Sequence, residues 1–475
     1  MKKYIAAALI AAAVLSLASC GWRLPGSSGP SESPEPSAAP SETPEASPSP
    51  EKTAVDELLG TEPAAGELGQ YVMQNARDLP AEENDKLLER LLLVQPDVTI
   101  SMSTKILNNA YMSALDDTMG GLLDPTKIPN IKDQAVRADY QALFDSLMTV
   151  VRYEESPIIE TNWSALNKLK TSFGEQTAFI IEYSARLQGN YYGDELRGPD
   201  LMAADIAAIE KEFLKASDGF VRWQLRGLYA REVATLLYGP EGAYISDFTA
   251  GKKEVHGRLN TYAAAYPDTK FGRTCASLLN MTSESQQAVT DAINGSIVFP
   301  PDDPRTIEFA ALDEKSAALT VPEIVDKDNS ALAQQLNKTV RDAAAGMLPA
   351  GTKNQQLYSS AAVCGNYLSV ALSCSYAEKS GKPGYRQQHL VFDLTTGSPV
   401  TLDDLAAKPL DAYKAALLQV MRGDNVPADL AAPVDFALNS GGMTIYVSPK
   451  SGTVPDEYNV TMNGLRSFMD ISKLY

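Results

Sequence analysis

Hydrophobic and polar residues follow two different periods along the chain. From Ala54 to about Asn294, apolar residues recur mostly every three or four positions, which is typical of amphipathic helices packed on one another. One expected helix starts after Pro199-Asp200, Gly239-Pro240 ends the next, and a third is expected over Trp163–Leu187. No period near 34 residues repeats, so we predict an irregular helical bundle rather than a solenoid of repeats.

After the breaker-rich segment 299–304 the period changes to two, which indicates strands. The expected elements are strands at 307–312, 318–321, 357–364 and 367–376 and a helix at 330–344. Gly365-Asn366 is a hairpin turn dipeptide between the last two strands. The predicted fold class is therefore multidomain: an all-α helical bundle domain at 54–298, followed by an α+β domain with a mainly antiparallel sheet at 305–475.

The N-terminus has the pattern of a secretory signal. Lys2 and Lys3 precede an apolar run over residues 5–17, which is too short to span a bilayer with stable flanks. The run ends in Leu17-Ala18-Ser19-Cys20, which resembles the lipobox of bacterial lipoproteins. The resemblance implies cleavage between Ser19 and Cys20, a signal peptide at 1–19 and a diacylglyceryl group on the Cys20 thiol. The alternative is a plain secretory signal cut near Ala18, which would leave Cys20 free.

Residues 20–53 are built mainly from Pro, Ser, Glu and Ala. Such a segment has almost no apolar side chains to bury, so we expect a disordered, extended tether behind the lipidated cysteine. At about 3.1 Å per residue it would reach roughly 100 Å. The expected location is the extracytoplasmic face of the bacterial cell membrane, with the folded part held away from the lipid.

Charge and composition narrow the function classes. The chain carries 41 Lys and Arg against 60 Asp and Glu, a formal net charge of -19, which argues against nucleic acid as a partner and favours a cationic one. Two histidines and four cysteines leave little for a zinc site or for histidine-based catalysis. We expect no cofactor and no metal.

The sequence offers few candidates for catalysis. The GxSxG, HExxH, Walker, GxGxxG and CxxC motifs are all missing from it. An alternative function, a cell-wall-polymer-modifying enzyme or its accessory subunit, would need carboxylates brought together from distant helices of the helical domain. Five aromatic residues could line a sugar-stacking or peptide groove, although core filling explains them better: Tyr191, Tyr192, Trp223, Tyr229 and Tyr238.

The remaining cysteines are expected to be unpaired. Cys374 shares the apolar face of its strand, so we predict a buried thiol. It lies too far along the hairpin from Cys364 for a disulfide, and Cys275 has no evident partner.

The stretch 389–405, His-Leu-Val-Phe-Asp-Leu-Thr-Thr-Gly-Ser-Pro-Val-Thr-Leu-Asp-Asp-Leu, is the most informative in the chain. With 436–438, 442–447 and 458–461, and with 321–324 and 336–340 upstream, it resembles the extracellular RsiV/PdaC-type domain, which occurs in a lysozyme-sensing anti-sigma factor and a peptidoglycan deacetylase. The resemblance covers roughly residues 305–475. Some of these residues also have a purely structural explanation that needs no ligand. Thr401 is expected to cap a helix, and Asp403 and Asp404 are expected to lie in its first turn.

The resemblance implies a binding module whose partner is a cationic, lysozyme-like protein or cell-wall glycan. The loops 379–384 and 448–455 depart from the family pattern, so lysozyme binding does not carry over directly. The residues expected to contact a partner are Lys382, Tyr385, Asp403, Asp404, Tyr446 and Lys450. The expected function is a lipid-anchored, non-enzymatic binding protein of the bacterial envelope.

Overall fold

A computed structural model describes residues 52–153, 156–188, 198–239, 242–281, 284–313, 316–328, 330–350, 352–448 and 454–475. These residues form two compact units, 52–188 and 198–475. The predicted fold class is confirmed, because many helices precede a mainly antiparallel sheet. Within the described ranges, none of the helices is both long and apolar enough to cross a membrane.

The first unit is mainly helical. Its helices are α1 (Ala54–Gly60), α2 (Ala65–Asn75), α3 (Ala81–Ile106), α4 (Asn109–Ser113), α5 (Gln134–Asp145), α6 (Trp163–Asn167) and α7 (Glu175–Leu187), and its strands are β1 (Met148–Tyr153) and β2 (Ser156–Thr161). Thr53 and Asp56 form a capping box that begins α1, and the Asp133 side chain caps α5. The apolar faces of the helices supply buried residues such as Leu68 and Leu91.

The helix expected over Trp163–Leu187 is interrupted. α6 ends at Asn167, and α7 begins again after Gly174. The Gly174 N–H donates to Asp85 Oδ1 at 3.1 Å, and a Cβ at this glycine would lie 2.5 Å from the other oxygen of that carboxylate. The prediction of one continuous helix was wrong because the interruption is accompanied by a contact with Asp85 of α3, 89 residues earlier, which the local sequence pattern does not show.

A β-hairpin lies within the part of the chain that reads as helices. β1 and β2 pair antiparallel, from Met148 opposite Thr161 to Tyr153 opposite Ser156. The buried Gln95 amide of α3 holds the base of this hairpin: its Nε2 donates to the Ser146 carbonyl at 2.8 Å, and its Oε1 accepts from the Thr161 hydroxyl at 2.6 Å. The acidic pair Glu154-Glu155 lies outside the described residues.

We expect Gln95→Leu to lower the free energy of unfolding of this unit by about 2–3 kcal/mol. Leucine keeps the volume but leaves the Ser146 carbonyl and the Thr161 hydroxyl without their buried partner. Urea denaturation followed by circular dichroism measures the change. Gln141→Leu, at an exposed position on α5, is the control, and equal effects of the two substitutions would contradict the proposed role of Gln95.

Within the described residues, the second unit begins with six helices: α8 (Pro199–Lys215), α9 (Gly219–Tyr238), α10 (Ala243–Thr249), α11 (Lys253–Ala265), α12 (Lys270–Leu279) and α13 (Gln286–Val298). The helix end before Gly239 agrees with the sequence prediction, whereas α8 begins at Pro199 itself, two residues earlier than expected. Trp223 and Tyr229 are buried in the core, as the core-filling interpretation expects, and the Tyr238 hydroxyl donates to Asn294. Tyr191 and Tyr192 lie outside the described residues.

Two buried charged residues join α12 to the rest of this unit. The Glu210 carboxylate of α8 accepts the N–H of Lys270 at 2.6 Å and of Phe271 at 3.4 Å, so it satisfies the first turn of α12. The Lys270 ammonium donates to the carbonyls of Phe299, Pro300, Asp303 and Arg305 at 3.0–3.2 Å. This lysine therefore holds the segment that leads from the last helix into the sheet.

The rest of the second unit is built on two sheets. Its strands are β3 (Thr306–Asp313), β4 (Ser316–Val325), β5 (Lys353–Cys364), β6 (Tyr367–Ala377), β7 (Pro383–Asp393), β8 (Asp435–Asn439), β9 (Gly442–Val447) and β10 (Asp456–Thr461). Its helices are α14 (Ala331–Met347), α15 (Leu402–Ala406), α16 (Lys414–Val420) and α17 (Met462–Leu465). The sheet orders are β3-β4-β5-β6-β7 and β10-β9-β8, antiparallel except between β4 and β5.

The larger sheet buries one face under α14. Leu336 and Val340 of that helix pack with Leu357, Val370 and Leu372 of the central strands. The predicted hairpin is confirmed in register, with Cys364 opposite Tyr367 at the Gly365-Asn366 turn.

None of the cysteines among the described residues forms a disulfide. Cys374 is fully buried and lies opposite Leu357, far from Cys364, as predicted, and Cys275 is also a buried free thiol.

The short elements near the C-terminus agree in part with the sequence. Thr401 caps α15 through a capping box with Asp404, as expected. α17 at Met462–Leu465 begins where the Thr461 side chain accepts the Gly464 N–H.

Candidate functional site

Polar side chains cover the second face of the larger sheet, the face opposite α14. The register places Gln356, Ser375 and Tyr385 in one row across β5, β6 and β7, and it places Tyr358, Ser373 and Gln387 in the next. A third row ends at His389. Residues two apart on a strand share a face, so Tyr385, Gln387 and His389 form a line along the edge strand β7.

A chain of hydrogen bonds follows this line. The Tyr385 hydroxyl donates to Gln387 Oε1 at 3.1 Å, and Gln387 Nε2 lies 2.8 Å from His389 Nε2. His389 Nδ1 lies 2.9 Å from Asp435 Oδ2 of β8. An amide nitrogen can only donate, so the arrangement assigns the Nδ1–H tautomer to a neutral His389, with Nε2 as the acceptor and Asp435 receiving the Nδ1 proton.

Tyr446 of β9 completes the group. Its ring stacks on the His389 ring with centroids 3.6 Å apart and planes 13° from parallel. Burial raises the pKa of the Tyr446 hydroxyl to about 12, and the carboxylates of Glu457 and Asp435 add to the shift. Tyr446 is therefore a neutral phenol at any physiological pH. The His389 side chain is 0% exposed, whereas that of Asp435 is 43% exposed, so of this pair only the carboxylate meets solvent.

A cleft of about 400 Å³ opens beside this group. Val391 and His389 of β7 form one wall, and the segment 432–436 forms another. Asp403 of α15 lines it too, and its Oδ1 accepts from the Tyr413 hydroxyl at 2.8 Å. Carboxylates at Asp403 and Asp435 among apolar walls suit a cation with an apolar stem, such as a lysine side chain.

The geometry is unsuited to acid–base catalysis by His389. Both imidazole nitrogens are engaged, one by Asp435 and one by Gln387, and the ring is buried under Tyr446. A general base needs a free nitrogen within reach of a substrate proton. In the part of the chain that the structure describes, no group of three or more His, Cys, Asp and Glu side chains could hold a metal ion.

The residues expected to contact a partner lie in several places. Tyr385 and Tyr446 belong to the group around His389, and Asp403 lines the cleft. Asp404 is engaged in its capping box, where hydrogen bonds from the Thr401 N–H and hydroxyl lower the pKa of its carboxyl. Lys382 is exposed in the β6–β7 turn. Lys450, Ser19 and Cys20 lie outside the described residues.

Sequence reasoning missed Gln387, His389 and Asp435 as members of a site. The alternation in β7 could have placed Gln387 and His389 on one face with Tyr385, since it is the same period that indicates the strand. No local pattern could have supplied Asp435, which lies 46 residues from His389 along the chain.

No family model matches the chain, and no curated protein matches it. A solved structure with detectable similarity is that of a DUF3298 family protein from Pseudomonas aeruginosa, which is 14% identical. The match covers 36% of this chain and 98% of that one, with a TM-score of 0.21. A similarity at this level carries no argument about the function of the site.

Proposed function

We propose that the chain is a lipid-anchored, non-enzymatic binding protein of the bacterial envelope, with its ligand-contacting surface on the C-terminal α+β region. Two sequence features support the proposal: the lipobox-like ending at Cys20, and the resemblance of residues 305–475 to the RsiV/PdaC-type extracellular domain. In that family the implied partner is a lysozyme-like protein or the cell wall.

One structural observation carries the proposal. Tyr385, Gln387, His389, Asp435 and Tyr446 form a single hydrogen-bonded and stacked group beside an open cleft. Side chains fixed in this way are preorganised, so a ligand that meets them loses little conformational entropy of the protein. The engaged nitrogens of His389 favour recognition over catalysis.

The test is retention of wall-derived partners by the full chain, purified in mild detergent and immobilised. We expect retention of peptidoglycan fragments or of a cationic muramidase, and loss of retention in Tyr385→Ala. Leu201→Ala, at an exposed position on α8, is the matched control and should bind as the unaltered chain does. A muramidase held only by the net charge of -19 would be released as salt rises and would not respond to Tyr385→Ala.

Retention of neither partner at any salt concentration would contradict the proposal. So would release of reducing sugars or free amines from peptidoglycan by the purified chain, because that result would favour the alternative, a wall-modifying enzyme.

A further inference from the structure

The outer half of the polar sheet face is open to solvent. This surface, which we call the tyrosine face, consists of Gln356 and Tyr358 on β5, Ser373 and Ser375 on β6, and Tyr385 and Gln387 on β7. The smaller sheet contacts the opposite end, where the Leu438 N–H donates to the Ser369 hydroxyl at 3.0 Å. Tyr358 is 60% exposed, which is unusual for a large ring on a central strand.

The two tyrosines of this face are held in the same way. The Tyr358 hydroxyl donates to Gln356 Oε1 at 3.0 Å, and the Tyr385 hydroxyl donates to Gln387 Oε1 at 3.1 Å. In each pair the glutamine is two residues away on the same strand, so each phenol leans along its strand to reach the amide. These hydrogen bonds restrict the orientation of both phenol rings.

The hydrogen-bonding groups of the tyrosine face are uncharged. None of its side chains is an Asp, Glu, Lys or Arg, although the chain as a whole has a net charge of -19. Among the described residues, the structure records no side-chain partner for the hydroxyls of Ser373 and Ser375, which lie between the two tyrosines. A surface whose own side chains are uncharged and offer hydroxyls, amides and flat rings is complementary to a neutral polyhydroxyl ligand.

The rigidity and spacing of this surface fit an extended ligand. Tyr358 and Tyr385 lie two strands and two residues apart, about 10 Å across the sheet and about 7 Å along it, so their positions are separated by roughly 12 Å, a span of two to three sugar units in an extended chain. The opposite face is packed against α14 through residues such as Val370 and Leu372, so the platform has little freedom to move.

We propose that the tyrosine face binds an uncharged stretch of β-1,4-linked amino-sugar polymer, the chemistry of a cell-wall glycan strand. The two rings stack on sugar faces, and Ser373, Ser375 and the glutamine amides bond the hydroxyl and acetamido groups. The inference rests on the proposed function and names its ligand class.

The test is titration calorimetry of the full chain with a hexamer of β-1,4-linked N-acetylglucosamine. We expect saturable binding that changes less than twofold between low and high salt, because no charge is neutralised. Tyr358→Ala removes the exposed ring and should weaken binding at least tenfold, whereas Tyr358→Phe keeps the ring and should weaken it only a few fold. Val325→Ala, on the neighbouring strand β4 and 37% exposed, is the control and should have no effect.

Two outcomes would overturn the inference. Absence of hexamer binding, with a muramidase still retained in a Tyr385-dependent way, would refute the glycan assignment and leave the proposed function standing. Hexamer binding that is equal in Tyr358→Ala and the unaltered chain would place the sugar elsewhere on the protein. If the chain retains neither the hexamer nor wall fragments nor a muramidase, the proposed function fails as well.

Discussion

Lys270→Met is expected to lower the free energy of unfolding of the unit formed by residues 198–475 by about 3–5 kcal/mol. Lys270 is 3% exposed, and its ammonium donates to the carbonyls of Phe299, Pro300, Asp303 and Arg305. Methionine matches the stem but has no donor, so these carbonyls would lose their buried partner. These carbonyls belong to the segment that joins α13 to β3. Without the hydrogen bonds from Lys270, this segment would no longer be held against α12, and the helices would be less firmly coupled to the sheet.

Urea denaturation of the full chain, followed by tryptophan fluorescence, measures this change through Trp223 of the same unit. Lys338→Met is the matched control, since Lys338 is exposed on α14 and pairs with Asp342 one helical turn away. Its expected effect is below about 0.5 kcal/mol. If the urea midpoint of Lys270→Met is as close to that of the unaltered chain as the midpoint of Lys338→Met is, the hydrogen bonds from Lys270 to the four carbonyls contribute little to stability.

The same lysine makes stability depend on pH. Burial lowers the pKa of Lys270 to about 7, although the Asp303 carboxylate opposes the shift, while the lysine of an unfolded chain titrates near 10.5. Between these pH values the unfolded state binds the extra proton, so this group makes the free energy of unfolding rise with pH from about 7 to about 10, by up to about 1.4 kcal/mol per pH unit. Below pH 7 Lys270 is protonated in both the folded and the unfolded state, so it no longer makes the free energy of unfolding depend on pH. The difference in stability between the unaltered chain and Lys270→Met should therefore widen between pH 7 and pH 9, and a constant difference would contradict this titration.

The elements that sequence reasoning predicted correctly are those whose signals are local. The hairpin of β5 and β6 follows from period-two alternation on both sides of Gly365-Asn366, and its register follows from the turn. The end of α9 at Tyr238 is similar, because Gly239 and Pro240 are a local stop signal for a helix. These predictions need no knowledge of distant residues.

The errors have the opposite cause. The interruption before α7 depends on Asp85, and the hairpin of β1 and β2 depends on Gln95, both on the distant helix α3. Val150 and Val151 are adjacent apolar residues, so β1 shows no alternation that would distinguish it from a helix. A contact supplied from elsewhere in the fold decided the local structure in each case.

The residues of the candidate site also fall into those that the sequence predicted and those that it did not. Tyr385 and Tyr446 were predicted as partner-contacting residues near the family-like stretch, and both belong to the group around His389. The centre of that group is His389. Sequence analysis did not name it as a site residue, because a chain with only two histidines offers little for a zinc site or for histidine-based catalysis. Its significance comes from Asp435 and Tyr446, which only the pairing of β8 and β9 brings to it.

Cys20→Ala is expected to abolish lipid attachment, the largest functional effect that the sequence predicts. The residue lies outside the described part of the structure, and the expectation rests on the order of the basic start, the apolar run and Leu17-Ala18-Ser19-Cys20. Only a thiol at this position accepts the diacylglyceryl group, so alanine removes the acceptor itself. Growth with radiolabelled palmitate, followed by capture of the protein and autoradiography, should show a labelled unaltered chain and an unlabelled variant.

The anchoring strength explains why this one thiol matters. Each buried CH₂ contributes about 0.8 kcal/mol, so two acyl chains hold a protein stably where one would exchange. Cys275→Ala is the control, and the label should persist in that variant. The Cys275 thiol of α12 is buried, so a lipid-transferring enzyme has no access to it, and burial raises its pKa to about 12. Label that persists in Cys20→Ala would assign the acyl group to another residue and would contradict the reading of Leu17-Ala18-Ser19-Cys20 as a lipobox. Label lost only in Cys20→Ala would assign the acyl group to this thiol, as the proposed function requires.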